Sequence, residues 1–62
     1  MIKSVIRANN GMVAVFDENG ESIREYLGEY EKVKEKILRD APPYALFSHI
    51  TATIEVVPRE EW

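Results

Sequence analysis

From Leu46 onward the even positions read Leu46, Ser48, Ile50, Ala52, Ile54 and Val56, and the odd ones Phe47, His49, Thr51, Thr53, Glu55 and Val57. One register is apolar and the other mostly polar, the period-two pattern of a strand with one buried face. It predicts a long C-terminal strand over about 44–57, ended by Pro58. Upstream, Ile2 to Ala8 and Met12 to Phe16 are short segments rich in apolar and β-branched residues, separated by Asn9-Asn10-Gly11. Asn10-Gly11 supplies the positive backbone φ that a tight turn requires, so the spacing predicts a β-hairpin with strands over 2–8 and 12–16. A second turn signal, Asp17 to Gly20, predicts a third strand at about 21–26.

The segment 22–28 also carries a helical signal. Ser22 with Glu25 fits a capping box, and Ile23, Tyr26, Leu27, Tyr30, Val33 and Ile37 continue at helical spacing. Gly28 decides between the two: it would cost about 1 kcal/mol relative to alanine in mid-helix but is tolerated as an N-cap. The reading is therefore strand, then Gly28 as the cap of a helix over about 29–40. Tyr30, Val33, Ile37 and Leu38 form its apolar stripe. Glu29 and Glu31 in the first turn and Arg39 in the last complement the helix dipole, and Glu35 and Arg39 are spaced as an i,i+4 pair. Pro42 and Pro43 stop the helix.

These elements define an α+β fold: a small antiparallel sheet built from an N-terminal hairpin or meander, one α-helix packed on it, and the long C-terminal strand, in a single domain over 1–62. Two features of the pattern do not close within one copy. The first strands span roughly 20 Å at ~3.3 Å per residue, whereas 44–57 as one strand would span about twice that. Either that strand folds back near His49 to Thr51, or its second half pairs with another chain, because an unpaired apolar edge is an aggregation template. In addition, Met12, Ala14 and Phe16 lie on one face of the second strand and Val13 and Val15 on the other. Both faces are apolar, while one helix covers only one. The expectation is assembly: residues Ile50, Ala52, Ile54 and Val56 pair two copies by two-fold symmetry, as a homodimer or higher oligomer.

Composition supports a folded domain that needs support. With 62 residues the chain is near the lower limit for a self-sufficient core, and it has no cysteine and a single histidine, so neither disulfides nor a dedicated zinc site is expected. No cofactor is expected, because the two glycine turns match neither GxGxxG nor a phosphate-binding loop with its lysine. A net charge of −3 argues against nucleic acid as a partner. No apolar run reaches the ~20 residues that span a bilayer, and the first residues lack the apolar core of a signal peptide, so a cytoplasmic protein off the membrane is expected.

The residues able to carry a function are few. His49, Thr51, Thr53 and Glu55 share one face of the predicted strand and could line a polar ligand groove. His49 and Glu55, six residues apart, would stand roughly 20 Å from each other along a straight strand and could not act as an acid–base pair within it. Tyr44, just after the prolines, and Trp62, the only tryptophan, are candidate aromatic anchors for a partner. No nucleophile–base constellation can be named, so no catalytic residue is expected. The cysteine-free, motif-poor sequence resembles, in general character, the small proteins of bacteriophage and prophage genomes. That resemblance implies an inhibitor of a host or defence protein. The sequence reading is thus a non-enzymatic protein-binding module that self-associates through its C-terminal strand and contacts another protein. The alternative is an oligomeric protein that binds or sequesters a nucleotide-like ligand.

Overall fold

The computed structural model describes all 62 residues. Strands β1 (Ser4–Ala8) and β2 (Met12–Phe16) form the hairpin; a two-residue strand β3 (Gly28–Glu29) leads into helix α1 (Tyr30–Asp40); β4 (Leu46–Ile50) and β5 (Ile54–Val57) form a second hairpin. The five strands make one sheet in the order β3-β2-β1-β4-β5, with α1 packed on one face, so the fold is α+β as expected. The sheet is mixed rather than antiparallel throughout, because β4 pairs parallel to β1, Val5 opposite Phe47. The helix is the cause. It runs back along the sheet between β3 and β4, so both strands point the same way, and β4 enters the sheet beside β1 instead of at the end of a meander.

The first hairpin turns as its residues dictate. The Gly11 N–H donates to the Ala8 carbonyl at 3.1 Å, the Met12 N–H donates to the Asn10 side-chain oxygen at 3.0 Å, and Gly11 takes φ +88°. Only Gly11 needs a positive φ here, which fits a three-residue loop closed by a glycine. At the next turn the Asp17 carboxylate accepts from the Asn19 and Glu21 N–H groups, at 2.9 and 3.0 Å.

Residues 21–26 are not the expected third strand. Only Ser22 bridges to Phe16, and Arg24–Tyr26 is a 3-10 turn. The helical periodicity through Ile23 and Tyr26 is satisfied by this turn, which drops Tyr26 into the core beneath α1. Its phenol donates to the Asp40 carboxylate at 2.7 Å, and with burial this pushes the phenol up to about 12. Arg39 and then Tyr26 hold Asp40 below the usual carboxylate range. Arg39 therefore pairs with Asp40 at 3.0 Å rather than with Glu35. Gly28 belongs to β3, and Glu29 is the N-cap residue of α1. Gly28 takes φ +156°, which L side chains rarely adopt, and a Cβ at this position would stand 3.3 Å from Val33 Cγ1, which would have to give by a few tenths of an ångström.

The core is a single cluster between sheet and helix. Val5, Val13, Val15 and Phe47 of the sheet meet Tyr30, Val33 and Ile37 of α1, with Ile2, Tyr26, Ala41, Ala45 and Trp62 around them. A helix about 10 Å across cannot roof five strands spaced ~4.8 Å apart. Trp62 closes the remainder. The chain turns back after β5 through a short 3-10 turn, Arg59–Glu61, and delivers the indole onto the β4 side of the helix-covered face.

The expected strand over 44–57 is two strands. Thr51, Ala52 and Thr53 form a reversal in which the Thr51 N–H donates to the Thr53 carbonyl at 3.0 Å, and Ile50 stands opposite Ile54. The physical reason is strand length: β1 offers β4 five residues, Ser4 to Ala8, and beyond Ala8 no backbone remains to pair with. Folding back supplies the partner from the chain itself. Pairing with a second chain is thus not required to satisfy residues 54–57 on their β4 side.

Candidate functional site

Register sorts the sheet residues onto two faces. Val5, Arg7, Val13, Val15, Phe47, His49, Glu55 and Val57 occupy one set of paired positions, and the buried members of that set lie against the helix. The alternate positions are Ser4, Ile6 and Ala8 on β1, Met12, Ala14 and Phe16 on β2, Leu46, Ser48 and Ile50 on β4, and Ile54 and Val56 on β5. On these four strands this second face carries no charged residue and nothing covers it; at its β3 rim Glu29, opposite Met12, is the one charge on the same register. Met12, Leu46, Ile54 and Val56 are 40%, 50%, 64% and 66% exposed. Leu27 adds to it from the segment before β3, and Ile6, Ala8, Met12, Ala14, Phe16, Leu27 and Ile50 line a shallow apolar depression of about 270 Å³. The expectation that both faces of the sheet are apolar and that α1 covers one of them holds in this geometry.

The free edge of β5 adjoins this face. As the last strand in the sheet order, β5 leaves one row of backbone N–H and C=O groups without a strand partner. Between the start of β4 and the end of β5, Pro43, Leu46, Val56 and Pro58 line a groove of about 440 Å³ at the same edge.

Of the residues read as assembly or partner contacts, Ile54 and Val56 point outward on the uncovered face, with half-buried Ile50 beside them. Ala52 is exposed at the tip of the β4–β5 turn. Tyr44 is 51% exposed before β4, its hydroxyl 3.0 Å from Met1 Sδ. Trp62 is not a surface anchor. It is only 4% exposed, standing edge-to-face on Tyr30 and Phe47 with ring centroids 5.1 and 5.0 Å away, and its indole N–H donates to the Ser48 carbonyl at 3.2 Å. Its main-chain oxygen accepts from Arg7 Nη1 at 2.8 Å and from the Tyr30 hydroxyl at 3.0 Å, and lies 3.3 Å from His49 Nε2. Burial of an indole this large, with its N–H satisfied, is a core contribution.

The polar residues of the predicted ligand face are also rearranged. Thr51 and Thr53 belong to the turn and are exposed. Because the chain folds back, His49 and Glu55 stand directly opposite each other in the β4–β5 register, not roughly 20 Å apart as in a straight strand. His49 nevertheless directs Nε2 at Trp62, and Glu55 is exposed. A second cleft, of about 220 Å³, brings His49 and Thr51 together with Arg7 and Asn9 at the first hairpin turn. No group of three His, Asp or Glu side chains gathers as a metal site would require.

Arg7 is a linking residue that the pattern did not single out. Its guanidinium lies 3.5 Å from the Tyr30 ring centroid and bonds to Trp62, joining β1, α1 and the residues after β5. The signal available was its position: a charge on the register that otherwise reads Val5, Val13 and Val15. Comparison of the chain with models of known families, with curated proteins and with solved structures finds a match in none of the three. No helix is long and apolar enough to cross a membrane.

Proposed function

We propose that the protein is a non-enzymatic interaction module of the cytoplasm, working by protein–protein contact through the uncovered face of its sheet and the adjoining β5 edge. The observation that carries this reading is the absence of any charge at the outward positions of β1, β2, β4 and β5. Natural sheets in contact with water alternate apolar and polar residues, whereas a second apolar face is the mark of a surface that is covered in use. A protein that acts by covering a surface of a larger one can be an inhibitor, in keeping with the phage-like character of the sequence. The test is Ile54→Lys, which places a charge at an exposed position. Association with a partner protein or with another copy should weaken while the thermal midpoint of the isolated domain stays within a few degrees of wild type. Unchanged association would sink the reading.

A second reading is favoured by one feature, the cleft shared by Arg7, Asn9, His49 and Thr51. It would take a small anionic, nucleotide-like ligand. Anything that binds only the folded state raises its melting temperature by mass action. A nucleotide panel at saturating concentration that shifts nothing would exclude this alternative.

A further inference from the structure

We infer that the occupant of the uncovered sheet face is a second copy of this chain, packed sheet on sheet. The inference rests on the reading of that face as a contact surface and names what covers it. Face-to-face packing differs from strand pairing at the β5 edge: the two outer faces meet as the layers of a sandwich, and both β5 edges stay open.

Three observations support this occupant. The first is area. Met12, Leu27, Leu46, Ile54 and Val56, between 40% and 66% exposed, together leave roughly 500 Å² accessible, at the upper end of the largest apolar patch on a typical monomer. With the half-buried Ile6, Phe16 and Ile50 the face offers about 600–700 Å² per copy, so two copies would bury at most about 1,200–1,400 Å², at the lower end of the range of specific stable interfaces.

The second is charge. A partner selected by electrostatic complementarity would need charges to read, and the outward positions of β1, β2, β4 and β5 have none; Glu29 of β3, at the rim opposite Met12, is already paired with Lys32 at 3.1 Å. An uncharged apolar surface is complementary to itself under two-fold symmetry. Of the charged sheet residues, Arg7 and Glu55 lie on the opposite register and would not be desolvated by the contact, and Glu29 sits exposed at the β3 rim of the face.

The third is shape. Four strands of four or five residues present a broad face with only a shallow depression, matched to another sheet at ~10 Å separation rather than to an inserted helix or a small molecule. Ser4 and Ser48, the polar members of the face on β1 and β4, are small enough to lie under such a contact, and Ser48 is already buried.

The experiment is sedimentation equilibrium of the full chain from about 1 to about 100 µM, on wild type and on the single variants Met12→Lys and Leu46→Lys. Both replace exposed side chains on the face; Met12 lies on β2, two strands from β5, and Leu46 lies beside the end of β5. Circular dichroism melts at the lowest concentration verify that each variant folds. Hydrogen exchange at β5 is followed across the same concentrations. The expected result is a wild-type dimer, at least a tenfold weaker dimer in each variant, and β5 edge amides that exchange equally fast in monomer and dimer.

A wild type that stays monomeric overturns the inference, as does a dimer indifferent to both lysines. Protection of the β5 amides on dimerisation also overturns it, by assigning the contact to strand pairing. The underlying reading fails separately. If wild type is monomeric and neither lysine alters its retention of other proteins from a cell extract, the face is no contact surface at all; if retention is lost in both, the face binds a different protein and only the second-copy assignment falls.

Discussion

Replacing Trp62 with alanine should cost this domain most of its stability. The indole is 4% exposed and touches both layers, Tyr30 from α1 and Phe47 from β4. Truncating a buried Trp or Phe to alanine costs about 3–5 kcal/mol. Edge-to-face aromatic pairs contribute about 0.5–1.5 kcal/mol each beyond their burial, and Trp62 makes two. The lost indole N–H leaves the Ser48 carbonyl without that donor, worth about 1 kcal/mol more. These terms overlap, and about 4–5 kcal/mol is the expected total. At about 0.05–0.15 kcal/mol per residue, 62 residues hold roughly 3–9 kcal/mol in all. Urea unfolding followed by far-ultraviolet circular dichroism measures the change. With an m-value near 1 kcal/mol/M, the midpoint should fall by several molar or the variant should be unfolded in buffer. Trp62→Phe keeps one ring and should cost about half as much. In the wild type, the single tryptophan should emit as a buried indole and resist quenching by acrylamide. A midpoint change below ~0.5 M in Trp62→Ala, or ready quenching in the native protein, would refute the placement of this residue in the core.

Three further outcomes are expected. In spectrophotometric titration Tyr26 should ionise near pH 12, and Asp40→Asn should return it toward 10. Because the folded-state value is raised, the stability it represents is complete below pH 10 and is lost as pH rises through 12, so the loss of stability between pH 10 and 12 should be smaller in the asparagine variant, which is already less stable at neutral pH. Gly28→Ala forces a Cβ against Val33 in a backbone region foreign to other residues, and should lower unfolding free energy by about 1–3 kcal/mol in denaturant titration. Arg7→Met keeps much of the stem but removes the guanidinium from the Tyr30 ring and from the Trp62 oxygen; a loss of about 1.5–3 kcal/mol is expected, with acrylamide quenching of Trp62 increased.

The first hairpin, the helix and its proline stop are legible in the sequence because their signals are local: Gly11 in the turn, a 3.6-residue stripe, and Pro42-Pro43 after it. The reversal at Thr51–Thr53 shows in the sequence only as one of two alternatives, through the excess length of 44–57, since it contains no glycine, proline, asparagine or aspartate and is imposed by where β1 ends. Residues 21–26 depart from the expected strand for a related reason. Turn chemistry on one side and helical spacing on the other both fit so short a segment, and burial of Tyr26 against Asp40 selects the 3-10 turn. At the candidate site, the doubly apolar second strand reveals an uncovered face from sequence alone. Its extent does not show, because it depends on which strands lie side by side.

By itself, the sequence determined the α+β class, the positions of the helix and first hairpin, and a sheet with two apolar faces, since each follows from side-chain period and turn residues. Only the tertiary structure decided that β4 lies parallel to β1, that β5 folds back to set Glu55 opposite His49, and that Trp62 is core rather than surface. Those outcomes depend on the direction in which α1 returns the chain and on the strip of sheet it leaves uncovered. They are properties of packing between distant segments, and no local window of residues contains them.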